Sequence, residues 1–322
     1  MIMCALMRNI ELKMPRLEVA VAVIRNTEGQ ILISQRAKNV HQGGLWEFPG
    51  GKFEVSEDAS QALARELKEE LDINILFSTP LINIRFNYPD LKVHLHVRQV
   101  DSFKGKAVGR EGQVIRWVFI KDLERYAFPE ANKPILSALS LPHEYAIINS
   151  SNREQVGNAL ELLAQQGVSL VQIRAKAVQP LQVDSFIKEV SDKCDQLGIR
   201  CLFNSSLFNT KVMSSTVHFT ALDLMSLKKR PGGYGMYAAS CHNLQELQHA
   251  EKLGLDFVVL SPVQLTSSHL DAQPLGWQLF TDWVSQINIP VFSLGGMTKE
   301  DKKQAVQCGG QGVAGISLFN LK

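Results

Sequence analysis

The chain has little that would tie it to a membrane, an oxidising compartment or a nucleic-acid polymer. None of its apolar runs approaches the roughly 18–20 residues needed to cross a bilayer. The first 15 residues carry Arg8, Glu11 and Lys13 and lack a long apolar core. They make a poor signal peptide and read as a loose extension over residues 1–14. The five cysteines, Cys4, Cys194, Cys201, Cys241 and Cys308, show no pairing signature and no metal-ligand spacing. That excludes a disulfide scaffold and predicts reduced thiols in a cytoplasmic protein. Basic residues number 34 against 32 acidic ones, with no Lys/Arg block, so nothing argues for a nucleic-acid polymer as partner.

What is present is a globular composition, 45% apolar, spread over 322 residues. That length exceeds what one core usually serves, so two domains are expected, residues 15–140 and 141–322. The first reads as strands and loops around one good helix. Residues 17–25 and 30–34 form strands about the turn Asn26-Thr27-Glu28-Gly29, and further strands cover 81–86, 93–103 and 115–120. Asn87-Tyr88-Pro89-Asp90 closes a hairpin. A helix capped by Asp58 or Ser60 runs to Leu71, with Leu63, Leu67 and Leu71 as its buried stripe. Beyond Pro142, eight short β-rich runs (145–149, 170–174, 200–203, 217–220, 236–239, 257–260, 291–294 and 312–317) alternate with amphipathic stretches such as 154–165 and 244–253. Eight β-α units predict a (β/α)8 TIM barrel.

The run Gly51 to Glu57 followed by Arg65-Glu66-Leu67-Lys68-Glu69-Glu70-Leu71 carries the chemistry of the first half. Glu66, Glu69 and Glu70 fall at i, i+3 and i+4, on one helical face. Like charges so placed repel one another unless a divalent cation gathers them. Mg2+, with Mn2+ as the alternative, takes oxygen ligands and bridges carboxylates to phosphates, which points to hydrolysis of a phosphoanhydride. The Gly50 carbonyl is a further ligand candidate, and Glu111, outside the helix, could hold a second metal or orient water. Arg65 stands four residues before Glu69 and can hold its carboxylate in register. Glu57 can support the ligands from behind, and Gly50 and Gly51 let backbone approach phosphate.

These residues resemble the Nudix hydrolases, whose motif is matched by Gly51, Glu57, Arg65, Glu66, Leu67, Glu69, Glu70 and Ile73, with Asp72 where that family has Gly. Further segments resemble the MutT-type 8-oxo-dGTP diphosphatases: Gly44 to Lys52, Glu111-Gly112-Gln113, and Phe128-Pro129-Glu130-Ala131-Asn132. The resemblance implies an α/β/α sandwich with a mixed sheet. It also implies water attack on the β-phosphorus of 8-oxo-dGTP, with dGTP as the alternative, releasing the monophosphate and pyrophosphate. By the same likeness Asn132 bonds the oxidised guanine edge, while Arg36, Phe48 and Lys52 position or enclose the nucleotide. Leu91 replaces a basic residue that some members place near the base, and Lys92 follows it. Trp46 and Phe48 could equally be core residues, and Arg36 a solvated charge.

The second half resembles thiamine phosphate synthases and thiazole tautomerases from Tyr145 to Phe319. Val171-Gln172-Ile173-Arg174-Ala175-Lys176, Val217-His218-Phe219-Thr220, Leu260-Ser261-Pro262-Val263 and Leu294-Gly295-Gly296-Met297 carry the likeness. Gln172, Arg174 and Lys176 stand at a strand's carboxyl end, and Gly295-Gly296 can present amides to phosphate. Three departures weaken a synthase site. Ser205 stands in place of a metal-binding Asp, only Asp223 remains of a Gln-x-Asp, and His269 stands for Lys in the phosphate loop. A weak or noncatalytic barrel holding a phosphate or thiamine-related ligand is expected. Two other readings remain: a bifunctional enzyme acting on thiamine-pathway diphosphates, and a noncatalytic nucleotide sensor.

Overall fold

The computed structural model describes residues 16–208, 216–233, 235–266 and 273–319. Its N-terminal half contains strands β1 (Arg16–Ile24), β2 (Gln30–Gln35), β3 (Trp46–Glu47), β4 (Gly50–Lys52), β5 (Asn74–Asn87), β6 (Lys92–Lys104) and β7 (Ile115–Phe119), with helices α1 (Ala59–Leu71) and α2 (Lys133–Ser140). One sheet is ordered β4-β1-β6-β5 and a second β3-β2-β7. The first is mixed, since β1 runs parallel to β6 but antiparallel to β4. Period-2 alternation sends Ala20, Ala22 and Ile24 into a core with the α1 leucines. Val21 and Val23 enter the opposite core, which α2 covers with Ile135, Ala138 and Leu139. The result is the expected α/β/α sandwich.

Local chemistry explains α1. Asp58 accepts from the Ser60 and Gln61 amides while the Gln61 side chain accepts from the Asp58 amide, closing a capping box. Leu63, Leu67 and Leu71 are fully buried together with Ala62. The helix stops at Asp72, whose backbone is left-handed (φ 57°) and whose amide caps Lys68. Asp tolerates the conformation Gly would favour, and its carboxylate is held by Lys68 at 2.6 Å and by Arg110.

The C-terminal half is a closed barrel of eight parallel strands in the order β10-β11-β12-β13-β14-β15-β8-β9. These are β8 (Glu144–Ile148), β9 (Leu170–Ile173), β10 (Arg200–Asn204), β11 (Val217–Phe219), β12 (Tyr237–Cys241), β13 (Phe257–Leu260), β14 (Val291–Ser293) and β15 (Gly312–Gly315). Around them lie α3 (Arg153–Gln165), α4 (Val183–Leu197), α5 (Ala221–Ser226), α6 (Leu244–Leu253), α7 (Gly276–Val284) and α8 (Asp301–Gln307). Both strand faces are buried. One face packs on the helices through residues such as Val171, Phe203 and Val258. The other fills the barrel with Tyr145, Leu170, Leu202, Phe257 and Phe292. All eight expected strands are present, each displaced by no more than a residue or two at its ends. Among the described residues no helix is long and apolar enough to cross a membrane, and Cys194, Cys201, Cys241 and Cys308 are free thiols.

Candidate active site

The short strand β4 lies against the middle of β1, at Val19 to Val21, and its two glycines are there for lack of room. A Cβ on Gly50 (φ +148°) would stand 2.1 Å from the Ala20 carbonyl oxygen. One on Gly51 would stand 2.1 Å from the Glu66 carboxyl carbon, so the absent side chain is the seat of that carboxylate. The loop after β4 then leads into α1, which carries the acidic face.

Arg65 is the hub of that face. Its guanidinium grips Glu57 through two parallel bonds of 2.8 and 2.9 Å, donates to Glu66 Oε1 at 2.9 Å and Glu69 Oε2 at 3.3 Å, and reaches the Lys52 carbonyl at 2.9 Å. The planar fork suits this work as a lysine would not. Glu57 also accepts from the Glu54 amide at 2.8 Å, and these bonds bring its carboxyl down to about 2. The Arg65 charge is held still more firmly than usual by Glu57 and Glu66.

Glu111 is brought to the same end of the helix by main-chain bonding. The last carbonyls of α1 lack helical partners. The loop before β7 supplies them: the Val108 amide donates to Leu71 at 3.0 Å, and Arg110 to Glu70 at 2.9 Å. Gln113 donates to the Glu70 carbonyl at 3.2 Å and accepts from the Glu111 amide at 2.9 Å. Glu70 is therefore crowded. Burial raises its pKa to about 8, and the charges of Glu66, Glu111 and Glu47 push the same way, against one hydrogen bond from the Gly50 amide. Glu47 was not singled out in the sequence. It sits on β3, ion-paired with Arg36, and burial raises its pKa in spite of that pair. Its signal was present in the Trp46-Glu47-Phe48 segment, but only the fold carries it to α1.

The remaining candidates divide. Arg36 is turned to Glu47 and to the His41 carbonyl at 2.9 Å, so its charge is engaged within the protein. Phe48 is 3% exposed and stacks on Phe128 with ring centroids 5.3 Å apart, in the core beneath α2. The Lys52 side chain is exposed. Asn132 is 9% exposed at the start of α2, yet its side chain neither caps that helix nor takes a hydrogen-bond partner among the described residues. The Gly50 backbone meets Glu70 through its amide. A second polar group, missed in the sequence, lies on the α1 side of the sheet: the ligand atoms of Glu18, His94 and His96 all fall within 4.8 Å of one another, the single such group of three among the described residues. Its signal was the pair of histidines two apart on a strand.

In the barrel, two of the sequence candidates are occupied by the protein itself. Gln172 is 3% exposed and accepts from Asn204 at 3.1 Å. It adjoins a buried chain in which the Tyr145 hydroxyl meets His218 Nδ1 at 3.0 Å and His218 Nε2 meets the Ser240 hydroxyl at 2.9 Å. Burial, aided by the Arg174 charge, holds His218 neutral and brings its pKa down to about 3. Asp223 Oδ2 accepts from Ser205, with a 2.5 Å contact, and from Thr220 at 2.8 Å. Beside Asp223, Ser205 thus offers a hydroxyl and no second carboxylate. Arg174 is half-buried with no carboxylate partner among the described residues, and Lys176 is exposed. The turn at Gly295 and Gly296 (φ +98° and +67°) packs on Pro262 and the Leu265 carbonyl with no space for a Cβ. His269 lies outside the described residues.

A sandwich with an Arg-organised glutamate helix, joined to an eight-stranded parallel barrel, defines a two-domain α/β protein of a phosphoanhydride-hydrolase type. Comparison with known proteins gives each half its family. The NUDIX domain model matches residues 20–138 and the thiamine monophosphate synthase model residues 144–319. The chain belongs to the Nudix family, related to the MutT-type proteins, through its first half and to the thiamine monophosphate synthase family through its second. Over 126 residues it is 36% identical to the 8-oxo-dGTP diphosphatase of Escherichia coli, covering 39% of this chain and 98% of that protein. The CTP pyrophosphohydrolase of the same organism is 36% identical over 125 residues, covering 39% and 92%. A provisionally named thiamine-phosphate synthase 2 of Aquifex aeolicus is 34% identical over 187 residues, covering 56% and 99%.

Proposed function

We propose that the N-terminal domain hydrolyses an oxidised purine nucleoside triphosphate, 8-oxo-dGTP, to 8-oxo-dGMP and pyrophosphate in a Mg2+-dependent reaction, Mn2+ being the alternative ion. The observation that carries this is the crowding of Glu70 by Glu47, Glu66 and Glu111. Glu70 and these three neighbours offer oxygen donors of the kind hard divalent cations take, and an ion would draw them together, since among the described residues no three of their ligand atoms lie within 4.8 Å of one another. Glu66, Glu69, Glu70 and Glu111, with the Gly50 backbone, would hold the ion, which when bound neutralises phosphate charge and acidifies water. Arg65 fixes the positions of Glu57, Glu66 and Glu69 before substrate arrives, so that little reorganisation remains for the reaction. Glu111, on its tethered loop, would orient the attacking water. The Arg36–Glu47 pair adjusts the field at Glu70 without need of substrate contact.

Base choice rests on Asn132. A nearly buried amide with unspent donor and acceptor capacity can discriminate a purine edge by making or missing its hydrogen bonds. Phe48 is stacked on Phe128 in the core and is not a free ring for the base. The equal identity to a CTP pyrophosphohydrolase makes CTP the natural competitor. A panel of 8-oxo-dGTP, dGTP, CTP, ADP-ribose and thiamine diphosphate, with Mg2+ or EDTA and with products separated by chromatography, tests the proposal. Preferential release of 8-oxo-dGMP is expected, and faster turnover of CTP, ADP-ribose or the thiamine compound would overturn it.

For the barrel, the reading that fits best is an anion-binding domain with little synthase activity. Asp223 is already satisfied by two hydroxyls, and Ser205 gives no second carboxylate for a metal between a diphosphate and a monophosphate reactant. Arg174, Lys176 and the Gly295-Gly296 turn retain the capacity to hold phosphate. Direct assay of the condensation of hydroxymethylpyrimidine diphosphate with thiazole phosphate decides it, clear product formation being the contrary result.

A further inference from the structure

The imidazoles of His94 and His96 and the carboxylate of Glu18 form a cluster with no part in the hydrolysis described above. Register places them together: on the parallel pair β1–β6, Glu18 lies opposite His94 and Ala20 opposite His96. Alternation then sends Glu18, His94 and His96 to the same face of the sheet as Ala20 and Val100. Glu18 Oε2 meets His94 Nδ1 at 2.8 Å and His96 Nε2 at 2.6 Å. The rings lie 4.1 Å apart, and Phe53 packs on His96 with centroids at 5.0 Å. The other His94 nitrogen is buried without a partner. Three side chains from two strands are thus aimed at one point, screened by an aromatic ring on one side.

We propose that Glu18, His94 and His96 form a binding site for a borderline divalent cation of the Zn2+ class, distinct from the glutamate site on α1. The donor set argues for that class. Two imidazoles and one carboxylate, leaving a fourth position open, suit Zn2+ or Co2+, whereas Mg2+ takes oxygen almost alone. Four-coordinate ligands at about 2.0–2.1 Å from the ion stand roughly 3.3 Å from one another, so the contacts of Glu18 with His94 and His96 need open by roughly 0.5 and 0.7 Å. Rigid paired strands supply the positions, and small rotations of the side chains supply the rest. His96 also borders a cavity of about 200 Å³ shared by Asn83 and Arg98 with Thr281 and Ser285 of the barrel. A cation held there would lie at the junction of the two halves, open to a ligand from that cavity. The competing explanation is a plain hydrogen-bonded triad in which Glu18 accepts from both rings.

Co2+ titration of the full-length protein in excess Mg2+, which saturates the all-oxygen site, separates the two. One equivalent of Co2+ should bind and give the intense visible absorption of a four-coordinate site containing nitrogen, and Zn2+ should abolish it by displacement. Glu18→Gln and His94→Ala should each weaken binding about 100-fold or more while the far-ultraviolet circular dichroism is retained. If His94→Ala does not fold, His96→Gln, at the more exposed ring, carries the same test. A wild-type protein without the absorption band, or a band that survives these substitutions, would overturn the proposal in favour of the triad.

Discussion

Replacing Glu70 by Gln should move catalysis and stability in opposite directions. In the metal-free protein the Glu70 carboxyl is raised from 4.5 to about 8 by burial and by its acidic neighbours. At ~1.4 kcal/mol per unit, that is a cost of roughly 5 kcal/mol for charging the group in the fold, an upper bound because side chains swing apart as they ionise. The sign follows from linkage. The unfolded chain gives up this proton near 4.5 and the folded chain near 8, so the metal-free fold loses stability as pH rises between those values, and the loss is complete above about 8. Gln cannot ionise and escapes the loss. In EDTA at a pH of about 9, Glu70→Gln should therefore unfold at higher urea than wild type, with the pH slope much reduced. In Mg2+ the order should reverse, since only the wild type gains from the bound ion. Turnover should fall at least ~100-fold. Equal pH slopes in the two proteins, or near-wild-type turnover in the variant, would refute the placing of Glu70 at the centre of the acidic cluster.

Arg65→Ala should lower turnover and weaken Mg2+ activation together, as Glu57, Glu66 and Glu69 lose their common partner. Arg65→Lys should restore little, because one ammonium cannot reproduce the two-point grip on Glu57; a magnesium titration of steady-state rates reads both effects. Asn132→Ala should lower kcat/KM for 8-oxo-dGTP by about 10- to 100-fold with the Mg2+ activation constant unchanged, and competition assays against dGTP would show the preference collapse. Gly51→Ala should fold yet lose most activity, since its methyl group would occupy the place of the Glu66 carboxylate; retained activity would show that the close approach is unimportant.

Much of this architecture was legible because its signals are local. The barrel strands are short apolar runs set at regular intervals, and α1 announces itself through an acidic cap and leucines every fourth residue. The left-handed residue after α1 was readable at Asp72 for the same reason. Strand β5 was not. It begins at Asn74, well before Leu81, and its first half is an exposed edge with register shifts near Phe77 and Pro80 that erase the alternation. The site divides the same way. Arg65 and the glutamates of α1 are neighbours in sequence, so helical geometry alone groups them. Glu47 and Glu111 reach Glu70 through strand pairing and a loop docked on helix carbonyls, which no local pattern encodes. Glu18 and His94 are brought together by the parallel pairing of β1 and β6. Phe48 and Gln172 show the reverse case, where motif residues prove to be taken up by the core.

Calorimetric titration of Mg2+ into the full-length protein at pH about 7, repeated in buffers of different ionisation enthalpy, counts the protons released on binding. A carboxyl raised to about 8 is mostly protonated there, so a site built around Glu70 should release about one proton per ion bound, and none in Glu70→Gln. Binding of Mg2+ with no proton release, or with the same release from the variant, would place the ion elsewhere and remove the basis for hydrolysis at this helix.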